Sequence, residues 1–195
     1  MITVFDILAL LIAYVLGSIP TGLWVGLRVR GIDIRQHGSQ NIGATNTLRV
    51  LGKKIGAIAL AGDVLKGVVA VVAVSKLGSW PYLPLACGLA AILGHTFSIF
   101  LRFKGGKGVA TSTGVFLGLA TVPTLIAAIA WGLVFWRSRM VSAASLAAAV
   151  VLTAAVWVLP HAFAIRLTVT LVALLVFVRH RSNIGRILRG EESRF

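Results

Sequence analysis

The sequence predicts an all-α integral membrane protein, a bundle of seven transmembrane helices whose polar residues sit in short glycine-rich cytoplasmic loops. Three observations predict it. Of 195 residues, 58% are hydrophobic and the mean hydropathy is +0.96. Only 12% are charged, about half the ~25% of a soluble domain. The apolar residues are also concentrated: Ile7–Leu27, Gly78–Leu101, Val109–Trp136 and Met140–Ile165 each run for 21 residues or more without a formal charge. Runs of ~18 apolar residues read as membrane-spanning helices, and disorder, which needs low hydrophobicity, is excluded.

A single membrane domain over 1–195 is expected, with spans at approximately 3–26, 55–75, 80–101, 109–121, 123–136, 141–159 and 161–178. In the first span, Pro20 within Gly17-Ser18-Ile19-Pro20-Thr21-Gly22 predicts a kink. Asp6 stands where a cleavable signal would carry positive charge, so no such signal is expected. The second span holds Asp63 and Lys66 one turn apart. Intramembrane charge is costly, so the two are expected to pair facing the bundle. The fourth and fifth spans divide the run at 109–136 near Pro123 into two helices of about 14 residues. At ~1.5 Å per residue these fall short of a ~30 Å core, which predicts local thinning or a partly re-entrant pair. Gly22-x-x-x-Gly26, Gly52-x-x-x-Gly56 and Gly114-x-x-x-Gly118 predict close helix packing.

The charge distribution sets the topology. The net charge is +14, from 19 Lys and Arg against five Asp and Glu. With seven spans, sixteen of the nineteen positive residues fall on one side, Lys76 and Arg166 on the other, and Lys66 within a span. Reading 109–136 as one tilted helix spoils this to ten against eight. The positive-inside rule therefore favours seven spans, the N-terminus outside and the C-terminus cytoplasmic. The basic face would attract anionic membrane lipids. Because the charge sorts by membrane side, nucleic acid is not an expected partner. Seven spans of ~20 residues leave roughly 55 for everything else, so any chemistry must come from short loops and helix ends. The lone Cys87 lies in an apolar run, which excludes a disulfide framework and a thiol–metal cluster. No metal or cofactor is expected.

Three polar segments stand out. Gly38-Ser39-Gln40-Asn41-Ile42-Gly43-Ala44-Thr45-Asn46-Thr47, followed by Arg49, offers glycines for close backbone approach, neutral donors and a bidentate cation. The alternative is a turn-rich connector with an Asx-type cap at Asn46. Lys104-Gly105-Gly106-Lys107-Gly108-Val109-Ala110-Thr111 leads straight into an apolar helix, where first-turn N–H groups and the helix dipole favour phosphate. It is not a Walker A loop, because Gly108 follows the Gly-Lys pair and Leu101 stands where a glycine is required. A basic interfacial turn is the alternative. In the tail Arg179-His180-Arg181-Ser182-Asn183-Ile184-Gly185-Arg186, His180 and Asn183 share a helix face. Ser142 and Ser145 have the same spacing at the cytoplasmic start of a span, as ligands or as packing and capping residues. In the seven-span topology all three segments reach one membrane face, which predicts a ligand set rich in phosphate. The sequence lacks a carboxylate pair placed for glycosidic or two-metal work, an H-x-x-x-x-D pair and a D-x-x-D-G spacing. It offers donors and positive charge rather than a nucleophile.

These blocks, with Gly94-His95 and Phe103 ahead of the second, resemble the acyl-phosphate-dependent glycerol-3-phosphate acyltransferases, the PlsY family, over nearly the whole chain. One departure is Gln40, where the family usually has glycine. The resemblance implies transfer of a fatty acyl group from acyl phosphate to the 1-hydroxyl of sn-glycerol 3-phosphate, the first acylation of bacterial phospholipid synthesis, at the inner membrane. It implies an active site at the cytoplasmic loops. Ser39, Asn41, Gly43 and Thr45 would cradle one phosphate. Lys107 would stabilise charge on the carbonyl and leaving phosphate, beside Lys104, Gly105 and Gly106. Arg49, Ser142, Ser145, His180 and Asn183 would hold glycerol 3-phosphate. An imidazole titrates near neutrality, so the general base stays open between His180 and a substrate phosphate oxygen. A small transporter or binding protein for an organic phosphate is the rival reading. A transporter normally shows paired repeats and midplane sites, and no repeat is visible here.

Overall fold

The computed structural model describes residues 2–195. Among them every regular element is helical, and they divide into two compact units, one ending at Gly118 and the other spanning Leu119–Phe195.

The first unit contains α1 (Val4–Ser18), α2 (Thr21–Arg30), α3 (Ala44–Leu51), α4 (Lys53–Val72), α5 (Leu83–Thr96) and α6, which begins at Val109 and ends at Leu119. A capping box starts α1: the Thr3 hydroxyl accepts the Asp6 N–H, and Asp6 Oδ2 accepts the Thr3 N–H at 2.7 Å. Asp6 Oδ1 accepts the N–H groups of Ser79 and Trp80 at 2.9 and 3.0 Å, which ties the start of α1 to the connection before α5. The chain bends by 46° between α1 and α2. The bend falls at Pro20, as expected from a residue that cannot donate a helical hydrogen bond.

Small residues set the helix crossings. A Cβ at Gly17 would overlap the Ala91 backbone and one at Gly94 the Tyr14 carbonyl, so α1 and α5 meet backbone to backbone. Gly67 and Gly114 do the same for α4 and α6, against Thr111 and Val64. Of the predicted glycine pairs, Gly22, Gly26, Gly56, Gly114 and Gly118 pack against neighbours, whereas Gly52 faces open space and separates α3 from α4.

The second unit contains α7 (Thr121–Ser138), α8 (Val141–Val158), α9 (Phe163–Arg179) and α10 (Arg181–Leu188), with α8 packed on α7, α9 and α10. Its C-terminal residues fold back. The Phe195 N–H donates to the Arg139 carbonyl at 2.9 Å and the Phe195 ring meets Phe135.

Both units turn large apolar side chains outward, among them Leu8, Leu11 and Val15 on α1, Ile129 and Leu133 on α7, and Leu171 and Leu174 on α9. Such faces suit lipid rather than water. Among the described residues, four helical segments are long and apolar enough to cross a membrane: 53–77, 83–101, 121–138 and 141–158. The count rises to six if each bent pair, α1–α2 at 46° and α9–α10 at 60°, crosses as one. The one expected span left over, the fourth, corresponds to α6, whose 11 residues cover only ~16 Å at ~1.5 Å per residue. The expected junction at Pro123 is displaced. The break lies at Ala120, and Pro123 sits inside the first turn of α7, where its missing N–H costs nothing. The expected pair of equal helices is therefore one of 11 and one of 18 residues.

Candidate active site

The first polar segment is organised by Asn46, which is 1% exposed. Its Nδ2 donates to the carbonyls of Ile34 and His37 at 2.8 and 3.1 Å, and its Oδ1 accepts the Ser39 N–H at 2.8 Å. One amide thus closes the loop in three places. Gly38 lies against it at φ +59°, where a Cβ would overlap Asn46 Oδ1. Asn41 Oδ1 accepts the Gly43 N–H at 2.9 Å, and Gly43 caps α3. Ser39 is exposed, and Asn41, Gly43, Thr45 and Arg49 are half-buried. The expected backbone nest is thereby altered: the N–H groups of Ser39 and Gly43 are consumed by side chains, and what the segment presents are side chains on a stiff frame. Gln40 adopts φ +58°, a conformation that a glycine would hold without strain. Nearby, Arg35 is neutralised by Asp33 at 2.7 Å, and that hydrogen-bonded guanidinium lowers the Asp33 pKa.

The second segment is a clip on the end of α5. The Gly105 N–H donates to Thr96 O at 3.1 Å and the Gly106 N–H to His95 O at 3.0 Å, while Phe103 and Lys104 donate to Ser98 and Leu101. Gly105 and Gly106, expected beside Lys107 in the site, thus spend their backbone N–H groups on the end of α5. The last carbonyls of α5 lack intrahelical partners, and these N–H groups supply them. The anion-attracting groups lie one step later. The first intrahelical bond of α6 runs from Ser112 N–H to Gly108 O at 2.8 Å, so the N–H groups of Val109, Ala110 and Thr111 have no acceptor within the helix. Gly108, at φ +81°, leaves room beside them: a Cβ there would lie 3.1 Å from Thr96 Oγ1 and 3.9 Å from Ser112 Oγ. Both hydroxyls are buried without a hydrogen-bond partner, as is that of Thr111. Lys107 is half-buried next to this corner, and Lys104 is exposed. The two segments share a floor, because Leu101 packs on the cluster of Leu23, Ile34 and Ile42.

In the second unit, Glu192 gathers the predicted residues. Ser142 Oγ and Asn183 Nδ2 both donate to its Oε1 at 2.6 Å, and Arg186 Nε donates to Oε2 at 2.7 Å. Burial alone would raise the Glu192 pKa, but the bonds from Ser142, Asn183 and Arg186 together outweigh it and hold the carboxyl below its usual value. Ser142 has committed its proton, so it offers a ligand only oxygen lone pairs. Ser145 donates to Val141 O at 2.8 Å and accepts the Trp131 Nε1–H at 3.3 Å. His180 is 3% exposed at the joint of α9 and α10. Its Nδ1 lies 2.8 Å from Val176 O. A carbonyl only accepts, so Nδ1 carries the proton and Nε2 of the neutral ring is an acceptor.

Several participants had no distinct signal in the sequence. Thr96 and Ser112 read as ordinary helix residues, and Asn46 as a capping residue. Glu192 had a faint one, being one of only five acids in a strongly basic chain.

An apolar helical bundle with hydroxyls, a lysine and a helix start beside glycine-rich turns has the make-up of an integral membrane protein. The chain belongs to the glycerol-3-phosphate acyltransferase family, whose profile it matches over residues 7–190. A glycerol-3-phosphate acyltransferase of Trichlorobacter lovleyi is 46% identical over 183 residues, which cover 94% of each chain. The crystal structure of PlsY (YgiH), an integral membrane glycerol 3-phosphate acyltransferase, in its glycerol 3-phosphate form superposes with a TM-score of 0.91 at 37% identity. The match covers 97% of this chain and 95% of that one. The lysophosphatidic acid form matches over the same shares with a TM-score of 0.88 at 36% identity.

Proposed function

We propose that the protein transfers a fatty acyl group from acyl phosphate to the 1-hydroxyl of sn-glycerol 3-phosphate at the cytoplasmic side of a bacterial inner membrane. The products are lysophosphatidic acid and inorganic phosphate. The glycerol oxygen forms an ester bond to the acyl carbon, the bond from that carbon to the phosphate oxygen breaks, and phosphate leaves. A donor carrying its own leaving group needs no enzyme nucleophile. The solved relatives in glycerol 3-phosphate and lysophosphatidic acid forms support the acceptor and the product.

The observation that carries the donor assignment is the start of α6, where helix N–H groups, the unpartnered hydroxyls of Thr96 and Ser112, and Lys107 gather at Gly108. Donors fixed in advance around developing negative charge are the largest single contribution in acyl transfer. Lys107 stabilises the carbonyl oxygen and the leaving phosphate, with Lys104 adding positive potential. Ser39, Asn41 and Thr45 hold the donor phosphate through side chains, with Gly43 shaping the turn. Arg49, Ser142, Ser145, His180 and Asn183 hold glycerol 3-phosphate. His180 Nε2, an acceptor by its tautomer, receives the hydroxyl hydrogen bond and either takes the proton or orients the hydroxyl toward a phosphate oxygen.

The test is release of phosphate and lysophosphatidic acid by purified protein given glycerol 3-phosphate with either palmitoyl phosphate or palmitoyl-CoA. Equimolar products from acyl phosphate alone are expected, and activity with the CoA ester alone would refute the donor. For His180→Gln, a kcat retained within about threefold assigns orientation, whereas a loss of about 100-fold or more assigns proton transfer.

A further inference from the structure

Beneath the second glycine-rich segment lies a buried line of polar side chains to which the chemistry above gives no part. Asp63 and Lys66 on α4 and His95 at the end of α5 are 2%, 4% and 4% exposed. Lys66 Nζ has three neighbours: Asp63 Oδ1 at 2.9 Å, Ile19 O at 3.0 Å and His95 Nδ1 at 2.8 Å. The ammonium donates to Ile19 O and is at hydrogen-bond distance from His95 Nδ1, while Asp63 Oδ1 meets it as an ion pair. Asp63 balances its charge, which makes the pair neutral as a buried ion pair must be. A charged lysine at 2.8 Å leaves no room for a second proton between the two nitrogens, so His95 Nδ1 is the acceptor. The neutral imidazole then carries its proton on Nε2.

The opposite edge of the ring abuts the loop. A Cβ at Gly106 would overlap His95 Nε2, and the Gly106 N–H donates to the carbonyl of the same histidine at 3.0 Å. His95 therefore holds Gly106 from two directions, and Lys107 is the next residue. The sequence paired Asp63 with Lys66, and the structure confirms that pair, but it extends the line through His95 to the loop.

We propose that His95 is a positioning residue for Lys107, locked by Lys66 and Asp63 as the Nε2–H tautomer with its donor edge toward the glycine loop. The proposal rests on the acyltransferase reading for its kinetic effect, but not for its tautomer. A line of this kind keeps the loop in one place in the apolar bundle, where the ring can neither rotate nor exchange its hydrogen bonds with water.

The first experiment needs no activity and no change at His95. Protein with 15N-labelled histidine rings is placed in lipid nanodiscs, and the four histidines are assigned by removing His37, His161 and His180 in turn. A bare Nδ1 and a protonated Nε2 are expected for His95, and a protonated Nδ1 would overturn the proposal whatever the enzyme turns over. The second compares two variants per folded molecule. His95→Gln keeps an amide N–H near the position of Nε2 and is expected to retain kcat within about threefold, while His95→Asn keeps only an acceptor for Lys66 and is expected to lose about 10- to 100-fold. Equal kcat in both, with only thermal stability lowered, would reduce His95 to a packing role and sink the proposal. If the wild type transfers no acyl group, the functional reading fails while the ring spectrum still decides the tautomer.

Discussion

The two units hold their polar residues with opposite devices. In the first unit, backbone is fastened by a neutral amide and by backbone itself: Asn46 closes one segment, and the carbonyls of His95 and Thr96 clip the other. In the second, side chains are fastened by one carboxylate, Glu192, with Ser142, Asn183 and Arg186 around it. The amide frame is insensitive to pH and spends the loops' N–H groups, which leaves charge stabilisation to side chains and the start of α6. The carboxylate frame is titratable and spends side-chain protons, which turns Ser142 from a donor into an acceptor. Glycine-rich loops thus do not by themselves imply a nest of free N–H groups.

The largest expected effect comes from breaking the amide frame. Asn46→Ala removes three hydrogen bonds at a buried position, each contributing about 1 kcal/mol, and leaves the Ser39 N–H without its acceptor, while Ile34 O and His37 O keep backbone partners. A loss of roughly 3 kcal/mol or more is expected, seen as a lowered thermal midpoint in detergent. A midpoint unchanged from wild type would show that the segment holds its shape without the amide.

Next is Lys107→Ala, expected to lower kcat by about 100-fold or more, by analogy with removal of an oxyanion donor. It sharpens the comparison because the clip has consumed the N–H groups of Gly105 and Gly106. Were backbone donors sufficient, only KM would change, and Lys107 would be a ground-state anchor.

The carboxylate frame should fail in acid where the amide frame does not. The Glu192 pKa is lowered from 4.5 on folding. Its contribution is therefore fully present above the unfolded value and disappears as pH falls through the lower folded value. Wild type is expected to lose more stability between pH 6 and about pH 3 than Glu192→Gln, whose amide does not titrate. Parallel midpoints for the two proteins across that range would remove Glu192 from the acid response.

The fold was legible in the sequence to the extent that hydropathy and charge encode it. Apolar runs located the helices, Pro20 located the bend, and the Asp63–Lys66 pair followed from the cost of intramembrane charge. Pro123 misled because a proline in the first turn of a helix resembles one between helices in a plain sequence. The hydroxyls of Thr96 and Ser112 were not legible at all, and Glu192 gave only the faint signal of a rare acid. Each depends on residues brought together by the tertiary fold, Thr96 with Gly108 and Ser142 with Glu192, and neither periodicity nor spacing carries that information.

The smallest expected effect concerns Gln40, where the resemblance read from the sequence leads one to expect glycine. The structure gives this departure a physical cost, since Gln40 sits at φ +58°, a conformation that costs a non-glycine residue about 1–2 kcal/mol. Removing the side chain relieves that strain, but it also frees the unfolded chain, which offsets up to about 1 kcal/mol. Gln40→Gly is therefore expected to stabilise the protein by less than about 1 kcal/mol, visible as a rise of a few degrees at most. Its neighbours Ser39 and Asn41 keep their hydrogen bonds, so kcat should hold within about twofold. A fall in stability would mean that the Gln40 side chain supports the first segment, and that the amide frame extends one residue beyond Asn46.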